Sequence, residues 1–402
     1  MNWEKGQEGR TRISANNRKL LREAVRTPEE MVEFLKSGAE FRSFDYLLRQ
    51  LYPGEDLMPR LVSGLEKVNG ESHDSIARKA RNWLNGKNTP KSRELLFQIS
   101  FVLGLDEFGA DRLLACASET GIHYRNPREL AYACALRLDL PYEEADELAG
   151  EAEAVCGKIK EKKEKEKKEK NEKNEKLRGM ETGRLFTRQV RDAFDEVWSK
   201  EEFRDFIQEY GDSLGTLHET AYRDFQDMLM KLQRPESGVN LKEKKYSMEE
   251  ILTDYIRMKV PETKRVGGYS ALQRLVKKYW PNESSLINMR RRKEDVSRKA
   301  MILLYLVTEA LEEAEDPDDP DAYFWEDMEE EDEDSMLEIR IRQMDIFLER
   351  YGMNPLDCGS PFDLMVMYAM RTQGDELTRE GMGDRMRQVV EILFSEEETE
   401  KS

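Results

Sequence analysis

A 22-residue stretch in the middle of the chain limits what the chain can fold into. KIKEKKEKEKKEKNEKNEKLRG (Lys158–Gly179) has no apolar side chain between Ile159 and Leu177. Because a core forms by burial of apolar side chains, this stretch cannot contribute to one. The sequence therefore predicts separate cores on either side of it, in three segments: an N-terminal domain over residues 1–155, a Lys/Glu-rich linker over residues 156–181 and a C-terminal domain over residues 182–396.

The linker itself has two interpretations. Its Glu and Lys residues at four-residue spacing would support an isolated helix that acts as a solvated spacer. Its excess of lysine would instead make it a basic arm that contacts a polyanion. The mixture of both charges favours the spacer.

The composition indicates helices throughout the chain. Leu, Glu, Lys, Arg, Met and Ala dominate, and runs of β-branched residues are rare. Apolar residues make up 38% of the 402 residues, which suffices for ordinary helical cores. We therefore predict an all-α protein of helical-bundle domains.

Two parts of the sequence repeat the same order of helix signals. DRLLACASETGIHYRNPRELAYACALR and RQMDIFLERYGMNPLDCGSPFDLMVMYAMR each contain an apolar helix, a glycine stop, a short loop and a second helix. The second helices open with Asn126-Pro127 and Ser360-Pro361, an N-cap residue followed by proline at the first helical position. Upstream, Ser92-Arg93 matches Ser297-Arg298. We predict two copies of one helical unit, near residues 40–155 and 240–394, with independent evolution of similar helices as the alternative.

The segment Ser72–Ser118 carries the most specific pattern. GESHDSIARKARNWLNG predicts a helix that ends at Gly86, with Trp83 on its buried face. SRELLFQISFVLGL predicts an apolar helix, and DEFGADRLLACAS predicts a third helix that buries Phe108. Trp280, in the second half, is likewise expected in a core.

Within this segment, WLNGKNTPKSRELLFQISFVLGLD resembles the lambda-repressor-like (Xre-type) helix-turn-helix family. The match runs from the end of the recognition helix to the start of the last helix. The resemblance implies a compact bundle of about five helices with the recognition helix in the DNA major groove. A degenerate second copy near residues 285–350 lacks the Gly and Pro of the turn but keeps four basic residues, Arg290–Lys293.

If the family's function transfers, the recognition helix runs from about Ser72 to Asn85. Its N-terminal residues would then face base edges, and the basic residues further along would face phosphates. The stretch from Arg78 to Arg93 contains six basic residues and no acidic one. The expected base-facing residues are Ser72, His73, Asp74 and Ser75. The expected basic surface consists of Arg78, Lys79, Arg81, Lys87, Lys91 and Arg93.

The net charge of −18 argues against a general nucleic-acid coat protein. Residues 182–402 carry 32 basic and 50 acidic side chains, so most of the acidic excess lies there. EEAEDPDDPDAYFWEDMEEEDEDS predicts an irregular acidic loop over residues 312–335. Such a loop could mask the Arg290–Lys293 cluster by intramolecular pairing.

Two functions fit these patterns. The first is a DNA-binding regulator that contacts duplex DNA through the basic surface of the recognition helix. The second is a non-catalytic scaffold or adaptor that keeps the helix-turn-helix fold without binding DNA and contacts a protein partner through its acidic second half. We favour the first. The sequence has no heptad seam, so it leaves the oligomeric state open.

Nothing in the sequence predicts an enzyme, a cofactor or a metal site. Walker A, GxGxxG, GxSxG and HExxH motifs are absent, and the three histidines stand far apart. The four cysteines lack CxxC spacing and are expected as free thiols. MNWEKGQEGRTR has no apolar run of a secretory signal, and the longest apolar run, Ala300–Val307, is far shorter than the roughly 20 residues that span a bilayer. We expect no membrane segment and a cytoplasmic location.

Overall fold

The computed structural model describes most of the chain and confirms the all-α prediction. The described residues are 12–24, 27–118, 120–171, 187–215, 219–233, 255–258, 260–261, 269–278, 280–308, 333–371 and 381–395. They form 18 α-helices, include the π-helical turn Phe34–Gly38, and contain no strand. The helices fall into two compact units. The first unit comprises Arg42–Thr220 and Glu349–Asn354, and the second comprises Met1–Phe41, Ala221–Leu348 and Pro355–Ser402.

The first unit holds nine of the described helices. In chain order they are α3 (Phe44–Leu51), α4 (Leu57–Asn69), α5 (His73–Leu84), α6 (Arg93–Leu103), α7 (Glu107–Ser118), α8 (Pro127–Arg137), α9 (Tyr142–Asn171), α10 (Thr187–Asp195) and α11 (Lys200–Tyr210).

The second unit holds the other nine described helices. They are α1 (Arg12–Ala24), α2 (Pro28–Glu33) with the π-helical turn Phe34–Gly38, α12 (Glu219–Gln233), α13 (Ala271–Lys277), α14 (Glu283–Arg290), α15 (Arg298–Thr308), α16 (Glu333–Arg350), α17 (Pro361–Ala369) and α18 (Met382–Ser395).

The two units differ from the two domains that the charged stretch predicts. Helix α9 runs without a break to Asn171, well inside the predicted linker 156–181. Helices α10 and α11, expected in the C-terminal domain, belong to the first unit. Helices α1 and α2, expected in the N-terminal domain, belong to the second unit. Composition marks a polar stretch, but it does not show which bundle each flanking helix packs against.

Local side chains fix where the helices begin. Ser92 Oγ accepts the N–H of Leu95 at the start of α6. Asn126 accepts backbone N–H groups at the start of α8, and Ser360 does so at the start of α17. A proline follows each of the last two caps at the first helical position, where a missing N–H costs nothing. The predicted N-caps of both repeated segments are therefore confirmed.

The core of the first unit is built around α6 and α8. The rings of Phe97 and Tyr132 lie 5.0 Å apart between centroids, and both side chains are buried. Trp83 is buried in this unit, and Trp280 is buried in the second unit, as predicted. The prediction for Phe108 is wrong, because its side chain is 51% exposed.

Helical geometry explains the exposure of Phe108. The buried face of α7 is formed by Ala110, Leu113, Leu114 and Ala117. Phe108 precedes Ala110 by two residues, which is about 200° around the helix axis. Its ring therefore lies on the outer face, 5.7 Å from the guanidinium of Arg112.

An arginine at the start of α6 ties three parts of the first unit together. Arg93 donates to the Glu129 carboxylate of α8, with Nε 2.7 Å from Oε1 and Nη2 2.6 Å from Oε2. It also donates to the backbone oxygens of Thr120 and Gly121 in the loop before α8. Glu129 Oε2 accepts the N–H of His123 in the same loop at 2.8 Å. The pair therefore holds the α7–α8 loop against the start of α6.

The second unit contains a pair with the same arrangement. Arg298, at the start of α15, donates to both Asp363 oxygens at 2.9 Å. It also donates to the backbone oxygen of Pro355 at 3.0 Å, and Asp363 Oδ2 accepts the N–H of Asp357. We call Arg93–Glu129 and Arg298–Asp363 the arginine–carboxylate anchors.

The contacts around the two anchors recur at equal sequence spacing. In the first unit Asp111 Oδ1 accepts the N–H of Ile122 at 2.7 Å, 11 residues on. In the second unit Asp345 Oδ1 accepts the N–H of Leu356 at 2.7 Å, also 11 residues on. These matching contacts support the predicted repeat, while a common origin of the two units stays a prediction.

Replacing Arg298 by Ala is expected to destabilise the second unit by on the order of 3–5 kcal/mol, because the buried Asp363 carboxylate loses its charged partner. Arg93→Ala is expected to cost less, since Arg93 is 28% exposed and Arg298 is 6% exposed. Urea unfolding of the full chain, followed by circular dichroism, measures both changes. The exposed Lys293→Ala variant is the control and should stay within about 0.5 kcal/mol of the wild type. Equal stability of Arg298→Ala and Lys293→Ala would contradict the assigned role of the anchor.

Gly64→Ala is expected to destabilise the first unit by about 1–3 kcal/mol through overpacking. A methyl group at Gly64 in α4 would collide with both methyl groups of Val102 in α6. The double variant with Val102→Ala should recover much of this loss. Gly150→Ala in α9 is the matched control, because a methyl group there meets nothing within 4 Å. Urea midpoints compare the four chains, and equal losses at the two glycines would contradict this account of the α4–α6 contact.

Candidate nucleic-acid interface

Helices α4 and α5 have the connectivity of a helix-turn-helix. Only Gly70, Glu71 and Ser72 join them, and Gly70 has a φ of +67° that suits glycine. Pro59 lies in the first turn of α4, where its missing N–H is tolerated. Helix α5 begins after Ser72 and ends before Asn85, which are the bounds expected for the recognition helix.

A glycine turn ends α5 and directs the following loop. The N–H of Gly86 donates to the oxygen of Trp83, and the N–H of Lys87 donates to the oxygen of Asn82 at 2.9 Å. Gly86 has a φ of +65°. These are the two hydrogen bonds of a Schellman motif, which satisfies the last carbonyl groups of a helix.

One face of α5 is exposed over its whole length. Asp74, Arg78, Arg81 and Asn85 are exposed and follow at intervals of four, three and four residues, so they lie in one stripe. Lys87 and Lys91 extend the exposed basic character into the loop before α6. We call four exposed cations the basic surface: Arg78, Arg81, Lys87 and Lys91. Within the described part of the chain, none of these four residues forms an ion pair.

Three of the residues expected to contact DNA instead contact acidic side chains next to the turn. Lys79 Nζ lies 2.6 Å from Glu71 Oε1, and Ser75 Oγ donates to Glu71 Oε2 at 3.1 Å. His73 Nδ1 lies 3.2 Å from Glu66 Oε2. The hydrogen bond from Lys79 lowers the pKa of the Glu71 carboxyl. Ser72 is exposed as the N-cap residue and makes no side-chain capping bond.

Arg93 has a structural role that the sequence pattern does not predict. All three guanidinium nitrogens of Arg93 donate inside the first unit: to Glu129, to Ser118, to Thr120 and to Gly121. Each guanidinium nitrogen therefore already has a partner in the first unit, and none is left to donate to a phosphate. We correct the expected interface by removing Arg93 from it.

The sequence pattern does not predict the acidic neighbours of the expected interface, Glu66 and Glu71. Glu66 belongs to the end of α4, and Glu71 lies in the turn. Their spacing gives a partial signal, because Glu71 precedes Ser75 by four residues. Lys79 follows Glu71 by eight residues, and a side chain that reaches back two turns to a residue before the helix is not predicted by helical spacing.

The second unit places basic residues at the matching turn. The N–H of Arg292 donates to the oxygen of Met289, and the N–H of Lys293 donates to the oxygen of Asn288, so α14 ends as α5 does. Arg292 takes the position of Gly86 with a φ of +55°. The predicted degenerate turn is therefore built without glycine.

The cations around this turn are mostly exposed. Arg290, Arg291 and Lys293 are exposed, and the guanidinium of Arg292 lies 4.6 Å from the centroid of the Tyr222 ring. Most of the acidic stretch expected to mask them lies outside the described residues, which resume at Glu333 with α16.

The described residues offer few other reactive sites. No group of three or more His, Cys, Asp or Glu among them could hold a metal ion. The four cysteines are free thiols, and burial raises the pKa of Cys134 to about 12, so this thiol stays protonated near neutral pH. His123 accepts the N–H of Arg125, and His218 lies outside the described residues. None of the described helices is both long and apolar enough to cross a membrane.

Comparison of the chain with protein-family models, with curated proteins and with solved structures gave no match.

Proposed function

We propose that the protein is a non-catalytic regulator that binds duplex DNA through the basic surface at the end of α5. The proposal rests on one observation: four exposed cations form no ion pair with any described residue. They are Arg78, Arg81, Lys87 and Lys91. Such cations bind phosphates with release of counterions. Other arginines of the first unit, such as Arg128, Arg137 and Arg204, are paired with carboxylates.

The connectivity around α5 also supports the proposal. A short glycine turn joins α4 to α5, and the exposed stripe of α5 leaves one face of the helix uncovered within the first unit. A helix presented in this way fits the width of the major groove. The resemblance to the lambda-repressor-like family implies the same use of the same helix.

Acidic side chains limit which residues of α5 can contact bases or phosphates. Asp74 shares the exposed stripe with Arg78 and Arg81 and would accept a hydrogen bond only from a base amino group such as that of cytosine. Glu71 neutralises Lys79, which leaves Lys79 a weaker phosphate ligand than Arg78. The base-facing set is therefore Ser72, Asp74 and, after release from Glu71, Ser75.

Charge reversal tests the basic surface. The Arg78→Glu/Arg81→Glu variant is expected to lose at least tenfold in affinity for random-sequence duplex DNA, because two phosphate contacts become repulsive. Fluorescence polarisation of labelled DNA at two salt concentrations measures the affinity. The salt dependence should also weaken by about one unit of slope for each phosphate contact that is lost.

The control variant is Arg188→Glu/Arg204→Glu, which changes the net charge equally on α10 and α11 of the same unit. Its two arginines form exposed ion pairs that contribute little to stability. Equal affinity losses in the two double variants would show an effect of net charge alone and would refute a contact through α5.

Glu71→Gln is expected to raise DNA affinity a few-fold, because it releases the Lys79 ammonium for a phosphate contact. The same polarisation assay measures the change. Glu66→Gln is the control, since Glu66 contacts His73 and not Lys79. A lower affinity of Glu71→Gln would mean that Lys79 does not face the DNA.

Exposed aromatic side chains favour a second candidate, the interaction scaffold. Phe108 is 51% exposed and Trp198 is 65% exposed in the first unit. Aromatic residues of this kind are enriched in protein interfaces. Absence of DNA binding at low salt, with loss of a co-purifying protein in the Phe108→Ser/Trp198→Ser variant, would support the scaffold over the regulator.

A further inference from the structure

The end of α14 and the turn after it carry four cations in a row, Arg290, Arg291, Arg292 and Lys293, and we call these four residues the basic turn. All four are exposed. They lie in an acidic part of the chain, since residues 182–402 carry 32 basic and 50 acidic side chains. Like charges on adjacent residues repel one another, and a bound anion relieves that repulsion.

A tyrosine of α12 holds the basic turn in place. The Tyr222 hydroxyl donates to the backbone oxygen of Arg290 at 3.0 Å, and the guanidinium of Arg292 lies 4.6 Å from the centroid of the same ring. The two backbone hydrogen bonds at the end of α14 fix the turn from the other side. The cations therefore project from a backbone whose conformation is set by the second unit.

The end of α14 does not require these cationic side chains as a cap. The last carbonyl groups of a helix carry partial negative charge, and basic side chains often bond to them. In α14 the oxygens of Ile287, Asn288 and Met289 already accept backbone N–H groups of the residues that follow. Capping therefore does not account for the basic turn.

Three of the four cations have no acidic partner among the described residues. Arg290, Arg291 and Lys293 form no ion pair within this part of the chain. The acidic residue that follows them, Glu294, accepts a hydrogen bond from the side-chain amide of Asn288 at 2.8 Å. No described carboxylate therefore competes with an external anion for these three cations.

The fourth cation occupies a backbone conformation that glycine adopts more easily. Arg292 has a φ of +55°, and Gly86 has a φ of +65° at the matching place in the first unit. A residue with a side chain is strained in this region, and strained residues concentrate at functional sites. The second unit thus carries a cation where the turn alone favours glycine.

The cations of the second unit follow a different pattern from those of the first. When the two turns are aligned, the positions of Arg78 and Arg81 in α5 hold Ser284 and Ile287 in α14. The one cation within α14 is its last residue, Arg290. In helix-turn-helix proteins the end of a recognition helix and the adjacent loops contact the DNA backbone. The position of the basic turn therefore suits phosphates and not base edges.

We propose that the basic turn is a second DNA-binding surface, which contacts the phosphates of duplex DNA without reading the sequence. The choice of duplex DNA as the partner rests on the function proposed for α5, whereas the basic turn belongs to the second unit alone. Its cations replace counterions along the sugar-phosphate backbone. A chain with two linked DNA-binding surfaces binds more tightly than either surface alone.

Charge reversal in the full-length chain tests the basic turn. Arg291→Glu/Lys293→Glu is expected to lose at least tenfold in affinity for a random-sequence duplex of about 30 base pairs, because two phosphate contacts become repulsive. The slope of log affinity against log salt should weaken by about two units. Fluorescence polarisation at several salt concentrations measures both. The neutral pair Arg291→Gln/Lys293→Gln repeats the test if the first variant loses its helical circular dichroism.

The matched control is Lys19→Glu/Lys231→Glu, which changes the net charge equally at exposed positions of α1 and α12 in the same unit. Lys19 forms an exposed ion pair with Glu23 that contributes little to stability. This variant should keep most of the affinity. Equal losses in the control and in the variant of the basic turn would overturn the proposal.

The Arg78→Glu/Arg81→Glu variant separates this proposal from the function proposed for α5. If both surfaces bind DNA, the chain with all four reversals binds more weakly than either double variant. Loss on reversal of α5 with none on reversal of the basic turn would overturn the second surface alone. Loss at the basic turn with none at α5 would support the second surface and refute the contact through α5. Failure of the unmodified chain to bind at low salt would overturn both.

Discussion

The fold of each unit depends on one ion pair between an arginine at the start of a helix and a buried carboxylate. An arginine that follows a serine cap, Arg93 or Arg298, reaches a carboxylate in the first turn of a later helix that begins with a capping residue and proline. The same carboxylate accepts a loop N–H, so one acidic side chain fixes a helix start, a loop and a neighbouring helix. Because a buried carboxylate without its cation is costly, the arrangement tolerates few alternatives. The irregular loops between the helices are held in this way by polar contacts, and the helices themselves are held by apolar packing.

Local signals in the sequence predicted the parts of the fold that depend on neighbouring residues. The caps at Asn126 and Ser360, the bounds of α5 and the burial of Trp83 all follow from short-range spacing. The prediction that Phe108 is buried is wrong because Ala110 and the apolar residues after it determine which face of α7 is buried, and not the size of one aromatic ring. Helix existence was predictable, whereas the packing partner of each helix was not.

The candidate interface was predictable only in part for the same reason. The exposed positions of Arg78 and Arg81 follow from the helical period, and Lys87 and Lys91 follow from the loop. Arg93 belongs to the same basic run in the sequence, but its partner Glu129 lies 36 residues away, beyond the range of local patterns. Lys79 is paired with an acidic residue of the turn through a contact that spans eight residues. A basic run therefore indicated a surface, and only the three-dimensional contacts separated the available cations from the occupied ones.

Helices α1 and α2 come before the first unit in the chain but belong to the second unit, and this order affects how the protein folds during synthesis. The ribosome makes residues 12–38 before the rest of the described chain. Their partners in α17 and α18 are complete only after roughly 350 further residues, which takes on the order of 20–70 s at usual elongation rates. The part of the first unit formed by residues 42–220 can fold long before that, once Leu214 has emerged. During this interval the apolar faces of α1 and α2 have no native partner, and nascent chains on neighbouring ribosomes of one message carry the same unmatched segment. The folding of this protein is therefore expected to depend on translation speed and on chaperones that shield apolar helices, more than its modest helix lengths would suggest.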